Sequence, residues 1–388
     1  MKILFYSSPN FTDCDFPLVK AFQELGHEVT YLIDMAPYNT KAGLCNVQKQ
    51  KEQNGIFPAT DYDELKIYEK YMDMSHVYIV NRTVKAESSW TSFLLVLEVI
   101  KLIKREKFDV LHTDMIFSMH KILLLFIGKW FLTVHDPAPH TGEMSFKRTL
   151  FTKMAIKLSH RIALLNHLQL NDFCERYSLN PQRILVNRLG IYDNIRYFAN
   201  PDMQQKTKNV LFFGRISPYK GIEYLCEAMM RVKEHIPDAT LTIAGNGNMY
   251  FDISPYEKQE WIDIQNKYIS MQELATLLQQ STIVACPYTD ATQSGVIMTA
   301  FSMCKPVVAS NVGGLGETIK DGWNGVLVPP CDVNALSVAL IDLLSDSTKT
   351  EEMTKHIEED FFEGAYSWHS IAEKYLEFYK NNIRIHES

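Results

Sequence analysis

The stretch Phe213-Gly214-Arg215-Ile216-Ser217-Pro218-Tyr219-Lys220-Gly221 delivers an Arg and, five residues later, a Lys after the apolar run Asn209 to Phe213. Two fixed cations beside glycines suit a diphosphate. Negative charge accumulates on a departing nucleoside diphosphate, and cations already in place stabilise it without reorganising. Arg binds it bidentately, Lys as a point charge. Read alone, the pair is equally a set of surface charges after a strand. A second turn, Thr292-Gln293-Ser294-Gly295-Val296, opens an apolar helix-like stretch. Unpaired N–H groups at such a start attract anions, and Gly295 has no side chain to obstruct a phosphate. The plain alternative is a strand-to-helix turn that needs a small residue. A third turn, Asn311 to Glu317, reads as structural, with Glu317 satisfying a helix start.

The elements that position these turns alternate between strand and helix, as a parallel sheet with crossover helices requires. Ile3 to Ser7, a helix over Leu18 to Leu25, the stop Gly26-His27 and the strand Glu28 to Ile33 form one βαβ unit. Phe93 to Lys107 has helical spacing, and Phe108 to His112 returns to strand character. After Asn200-Pro201 the pattern restarts: strands at Asn209–Phe213, Thr240–Ala244, Ile283–Cys286, Val307–Ser310 and Gly325–Val328, helices at Ile222–Glu234, Met271–Gln279, Ser294–Met303 and Val333–Leu344. A chain of 388 residues exceeds what one core usually organises. The expected division is 1–195, 196–365 and a terminal helical segment, 366–388.

The net charge of -7 hides an asymmetry. Residues 1 to 190 carry 23 Lys and Arg against 20 Asp and Glu, a balance of +3, which leaves -10 for the rest. Nucleic acid needs a broad basic face and is not an expected partner. A mildly basic N-terminal half permits peripheral contact with an anionic membrane, and the basic side of Phe93 to Lys107 is the candidate surface; an ordinary solvated helix face explains the same residues. The seven cysteines are scattered without ligand spacing, so a reduced, metal-free chain is expected. Met1 to Tyr6 is too short an apolar run for a signal peptide, and every long apolar run is broken by charge. The expected location is cytoplasmic.

Together these residues resemble the retaining, GT-B fold, family 4 glycosyltransferases. The resemblance rests on Gly214-Arg215 with Lys220-Gly221, Leu241 to Gly247, Tyr268-Ile269-Ser270, Ser294-Gly295-Val296, Lys305-Pro306-Val307-Val308-Ala309, Val312-Gly313-Gly314 and Gly322-Trp323-Asn324-Gly325, in that order. It implies an α/β, GT-B architecture: two Rossmann-like domains facing a central cleft, with the helix after Tyr366-Ser367-Trp368 crossing back to the first. It implies that Arg215 and Lys220 hold a donor diphosphate capped by the amides at Ser294 to Val296, with Gly214 and Gln293 beside it. The loops near Gly245 and Ile269 would receive the nucleotide base. In the N-terminal half, Thr133-Val134-His135-Asp136 is similar to the family's strand-to-loop histidine, which implies that His135 meets the donor sugar. Ser8, Asn10 and His140 are the acceptor-side candidates. The implied partners are a nucleotide-sugar donor and a saccharide or lipid-linked acceptor, the reaction is hexosyl transfer with retention in surface polysaccharide synthesis, and no cofactor or metal is needed beyond the donor.

The family's Glu, seven residues, Glu pattern is replaced by Ala291 and Thr299. Thr299 can bond a ribose hydroxyl; Ala291 supplies neither charge nor hydrogen bond. A non-catalytic nucleotide-sugar-binding subunit is therefore the rival reading. An epimerase on the same fold would need paired acidic residues, which the sequence does not place. Asp13-Cys14-Asp15 and Asp61-Tyr62-Asp63 match the bare spacing of a metal-binding DxD but lack its strand context. No G-x-S-x-G elbow supports a hydrolase, and Gly245 to Gly247 lacks the third glycine of a dinucleotide fingerprint.

Overall fold

Apolar β-branched runs build the centre of each half of the chain. The computed structural model describes residues 1–135, 146–203, 207–291 and 293–383. They form two units, Met1–Leu189 with Trp368–Ser388, and Gly190–Ser367. The first crossing lies at 189/190, ahead of the expected 195/196, because the turn Asp193–Phe198 packs on helices of the second unit.

The N-terminal unit opens with β1 (Lys2–Ser7), α1 (Thr12–Glu24) and β2 (Glu28–Met35). α1 starts six residues before the expected Leu18. Pro17 lies inside the helix and forgoes one helical hydrogen bond there, while Asp15, Phe16, Val19 and Phe22 form one buried face. Then come β3 (Gly55–Pro58), β4 (Val77–Asn81), α2 (Trp90–Glu106), β5 (Val110–Thr113), a 3-10 segment (Met119–Phe126), β6 (Trp130–Val134), α3 (Phe146–Leu158), β7 (Arg161–Leu164), α4 (Leu170–Tyr177) and β8 (Ile184–Val186). The sheet order is β8-β7-β6-β5-β1-β2-β4-β3, parallel except for the edge strand β3. Ser89 caps α2, its hydroxyl accepting from Ser92 N at 3.1 Å.

The C-terminal unit runs β9 (Asn209–Phe213), α5 (Ile222–His235), β10 (Thr240–Gly245), β11 (Ile262–Asn266), α6 (Met271–Gln280), β12 (Ile283–Cys286), α7 (Gly295–Ser302), β13 (Val307–Ser310), β14 (Gly325–Val328), α8 (Val333–Ser345) and α9 (Ser347–Glu358). Its sheet is all parallel, in the order β11-β10-β9-β12-β13-β14. The strand order reverses between β9 and β12, the switch point at which ligands of such sheets bind. The last helix, α10 (Trp368–Ile383), returns to the N-terminal unit. There it packs on α1, and Tyr375 OH lies 3.1 Å from Thr133 Oγ1.

Candidate functional site

In the C-terminal unit the phosphate-binding candidates gather at the ends of β9, β10 and β12. Gly214 N donates to Ala244 O at 3.0 Å and Ile216 N to Asn246 O at 3.1 Å, so the two loops run edge to edge. This explains Gly245, where a Cβ would stand 1.8 Å from the Gly214 carbonyl oxygen. Its lack of a side chain is set by this backbone approach. Lys267 N donates to Gly245 O at 2.8 Å, bringing the loop of half-buried Ile269 beside the same turn.

Arg215 is exposed, whereas Lys220 is buried, with 8% of its surface accessible. Among the described residues no carboxylate pairs with either. The Lys220 ammonium instead lies 3.6 Å from the ring centroid of Tyr288 and 5.0 Å from that of Tyr219. Ring faces attract a cation without neutralising it. Burial, with the Arg215 charge adding to it, brings the Lys220 pKa down to about 8.

Tyr288 ties Lys220 to the second turn: Ser294 Oγ donates to Tyr288 OH at 3.4 Å. Ser294 is the N-cap of α7, yet its hydroxyl caps no backbone group. The N–H groups of Gly295 and Val296 therefore have no acceptor among the described residues, whereas Ile297 N donates to Ser294 O at 3.1 Å. α5, by contrast, has its first N–H satisfied by Tyr250 OH at 2.9 Å. A Cβ on Gly214 would be 3.4 Å from Val296 Cγ2, so the Gly214 turn and the open helix start adjoin. Half-buried Gln293 flanks them. Thr299, 7% exposed, donates its hydroxyl to the Gly295 carbonyl of its own helix at 2.8 Å, so its proton is already used. Ala291 is buried and apolar.

In the N-terminal unit, His135 directly follows β6 and its Nε2 lies 2.8 Å from Asp114 Oδ2. The other oxygen of Asp114 meets His112 Nε2 at 2.9 Å, and His112 Nδ1 meets Tyr379 OH at 2.5 Å. An ionised Asp114 between two imidazoles keeps a proton on each Nε2 and orients both rings. Burial pushes its carboxyl up, but the hydrogen bonds from His112 and His135 outweigh this and hold it well below the usual carboxylate range. Asp15 goes the other way, raised by burial and by Asp114, while Tyr31 OH donates to it at 2.8 Å. Asp15 and Asp114 are thus two neighbouring acids inside the N-terminal unit. Both are buried and already bonded inside the unit.

The Ser8 to Asn10 turn reaches this network through Phe11, whose ring stacks on His135 at 4.5 Å. Ser8 itself is buried and Asn10 exposed; His140 lies outside the described residues. Cys14, Asp114 and His135 bring their ligand atoms within 4.8 Å of one another, a geometry open to a metal ion. The Cys14 thiol, however, donates to Phe11 O at 3.0 Å and is pushed well above its ordinary range by burial and nearby carboxylates, which disfavours the thiolate a metal needs. Tyr288, Asp114 and Tyr379 escaped the sequence reading, and Asp15 entered it only as part of a DxD match. His112-Thr113-Asp114 at a strand end was the one visible signal.

Residues 207–346 match the family described as glycosyl transferases group 1. An uncharacterized glycosyltransferase of Methanocaldococcus jannaschii is 31% identical over 209 residues, 52% of each chain. Glycogen synthase of Mycobacterium tuberculosis is 26% identical over 215 residues, 52% of this chain and 49% of that one. The matches thus span about half the length of these relatives. The Anabaena protein HepE, solved in complex with UDP, superposes with a TM-score of 0.65 at 16% identity, over 98% of this chain and 100% of its own. At that identity the likeness shows the fold, which is the GT-B fold of two parallel-sheet domains.

Proposed function

We infer, from the match of residues 207–346 to the glycosyl transferases group 1, that this chain is a retaining glycosyltransferase. It moves a hexose-type sugar from a nucleoside-diphosphate donor to a saccharide or lipid-linked saccharide, on the cytoplasmic side of surface polysaccharide synthesis. Lys220 carries the reading. It is a buried cation without a carboxylate partner among the described residues, joined through Tyr288 to a helix start with open N–H groups. A diphosphate supplies what that group lacks. The UDP bound by HepE and the name of glycogen synthase support a sugar-nucleotide donor and a saccharide acceptor.

In the proposed reaction the bond from the anomeric carbon to the β-phosphate oxygen breaks and a bond to the acceptor oxygen forms. The acceptor proton passes to the departing phosphate. Arg215, Lys220 and the Gly295 and Val296 amides stabilise the charge that develops there. These cations fill the role a metal takes in other transferases, so no step calls for one. His135, with Asp114 on Nε2, presents Nδ1 as an acceptor for a donor-sugar hydroxyl.

Ala291 and the engaged hydroxyl of Thr299 favour one second reading, a subunit that binds a nucleotide sugar without transferring it. Metal-free calorimetric titration with uridine, guanosine and adenosine diphosphates and their sugars, followed by a donor-hydrolysis assay, separates the two. Binding lost in Arg215→Ala or Lys220→Ala, with slow sugar release, supports the transferase. Binding without release supports the subunit, and no binding refutes the donor site.

A further inference from the structure

A crossover helix buries one side and turns the other to water, so large apolar side chains on the outer side need a reason. In the N-terminal unit, α2, the segment Met119–Phe126 and α3 lie side by side, the middle one touching both neighbours. All three send their inner sides into one core, through Val99, Leu124 and Ile156. Their outer sides therefore form one continuous surface. It carries Trp90 and Leu94 from α2, Met119, Leu123 and Phe126 from the segment, and Leu150 and Leu158 from α3, with Trp90 70% and Phe126 65% exposed. Seven of the sixteen large apolar side chains exposed among the described residues sit on these three elements.

Lys101, Lys104, Lys129, Lys153 and Lys157 stand on or next to the same elements, all exposed. None of the five forms an ion pair among the described residues. The chain as a whole carries -7, so this concentration of unpaired cations is local.

We propose that this layer docks the N-terminal unit onto an anionic lipid surface, its apolar tips entering the acyl boundary while the lysines meet headgroup phosphates. Apolar area and cationic attraction reinforce one another only at such an interface. A second copy using the same face would set lysine against lysine, which argues against self-association. The basic end of α2 is one border of the surface; the apolar centre is supplied by the two elements after it. The proposal does not depend on the donor site.

Co-sedimentation of the full chain with vesicles of phosphatidylcholine, or of equimolar phosphatidylcholine and phosphatidylglycerol, tests it. Binding should require phosphatidylglycerol and weaken with salt. The pairs Leu123→Ser with Phe126→Ser, and Lys153→Glu with Lys157→Glu, should each lower partition by at least about tenfold. Val338→Ser, an exposed apolar site on the other unit, should leave it unchanged. All these side chains are exposed, and thermal melts confirm folding of each variant; if one pair fails to fold, the other decides. No binding to the phosphatidylglycerol vesicles overturns the proposal, as does binding insensitive to both pairs. A wild-type dimer abolished by Phe126→Ser also overturns it, in favour of self-association.

Discussion

Replacing Lys220 by methionine keeps a side chain of similar length over the Tyr288 ring and removes the charge. In the free protein the Lys220 pKa is about 8, so at pH 8 about half of the molecules carry the proton. A bound diphosphate restores the charged form by moving the pKa back toward 10.5. Nucleotide binding should then take up about 0.1 proton at pH 7 and about 0.5 at pH 8. Titration calorimetry in two buffers of different ionisation enthalpy reads this directly, and Lys220→Met measured alongside subtracts the ionisation of the nucleotide itself. The variant should bind more weakly and without the uptake. Stability should move the opposite way. A lysine with a depressed pKa penalises the fold fully below pH 8, and the penalty fades as pH rises toward 10.5. The fall from 10.5 to about 8 corresponds to a cost of about 3 kcal/mol for the charged form. Lys220→Met should therefore gain stability relative to wild type by up to about 3 kcal/mol at pH 7, and that gain should fade as pH rises from 8 toward 10.5. Equal heats in both buffers at pH 8, with a binding pH profile shared by wild type and variant, would refute contact between Lys220 and phosphate.

Gly245→Ala and Gly295→Ala should separate two kinds of glycine. The first drives a Cβ against the Gly214 carbonyl and should cost more than about 2 kcal/mol in urea unfolding. The second meets the Tyr192 ring at 3.0 Å and should cost less than about 1 kcal/mol, yet weaken nucleotide binding in calorimetry. Asp15→Asn removes a charge that burial and Asp114 already disfavour and should cost less in urea unfolding than Asp114→Asn, which breaks two buried imidazole contacts and should cost about 3 kcal/mol. Because Asp114 is depressed, its contribution is complete above the ordinary carboxylate range, starts to fall as pH drops through that range and is lost only well below it, so urea midpoints of wild type and Asp114→Asn should draw together progressively below about pH 4. Thr299→Glu sets a carboxylate at a site only 7% exposed and should destabilise the nucleotide-free protein by about 2–4 kcal/mol in thermal melts, less with nucleotide bound if a ribose hydroxyl meets it.

The C-terminal sheet was legible because β9, β12 and β13 are buried on both sides and read as apolar runs, as does the half-buried edge strand β14. β11 was missed for the converse reason. It is an edge strand, and Ile262-Asp263-Ile264-Gln265-Asn266 mixes polar with apolar residues. The antiparallel edge β3 escaped likewise. Lys220 and His135 stood out by type and place in the chain, but their partners did not. Tyr288 follows β12, which neighbours β9 only once the sheet has formed. Asp114 reaches His135 because Thr113 and Leu132 pair in parallel register, a relation invisible along the chain.

Glycines show most sharply what a sequence motif does and does not say. Gly245 and Gly295 stood together as donor contacts, since both lie in small-residue turns at strand ends. Gly245 is explained without any ligand, because the Gly214 carbonyl occupies the space a Cβ needs. At Gly295 the nearest atoms belong to a tyrosine ring that can shift, and the two N–H groups beside it are left open. A glycine that faces a side chain and not the backbone, at a helix start that nothing among the described residues caps, leaves those N–H groups open to an incoming anion. That is why the donor argument rests on Gly295 and Lys220, not on the more glycine-rich turn at Gly245.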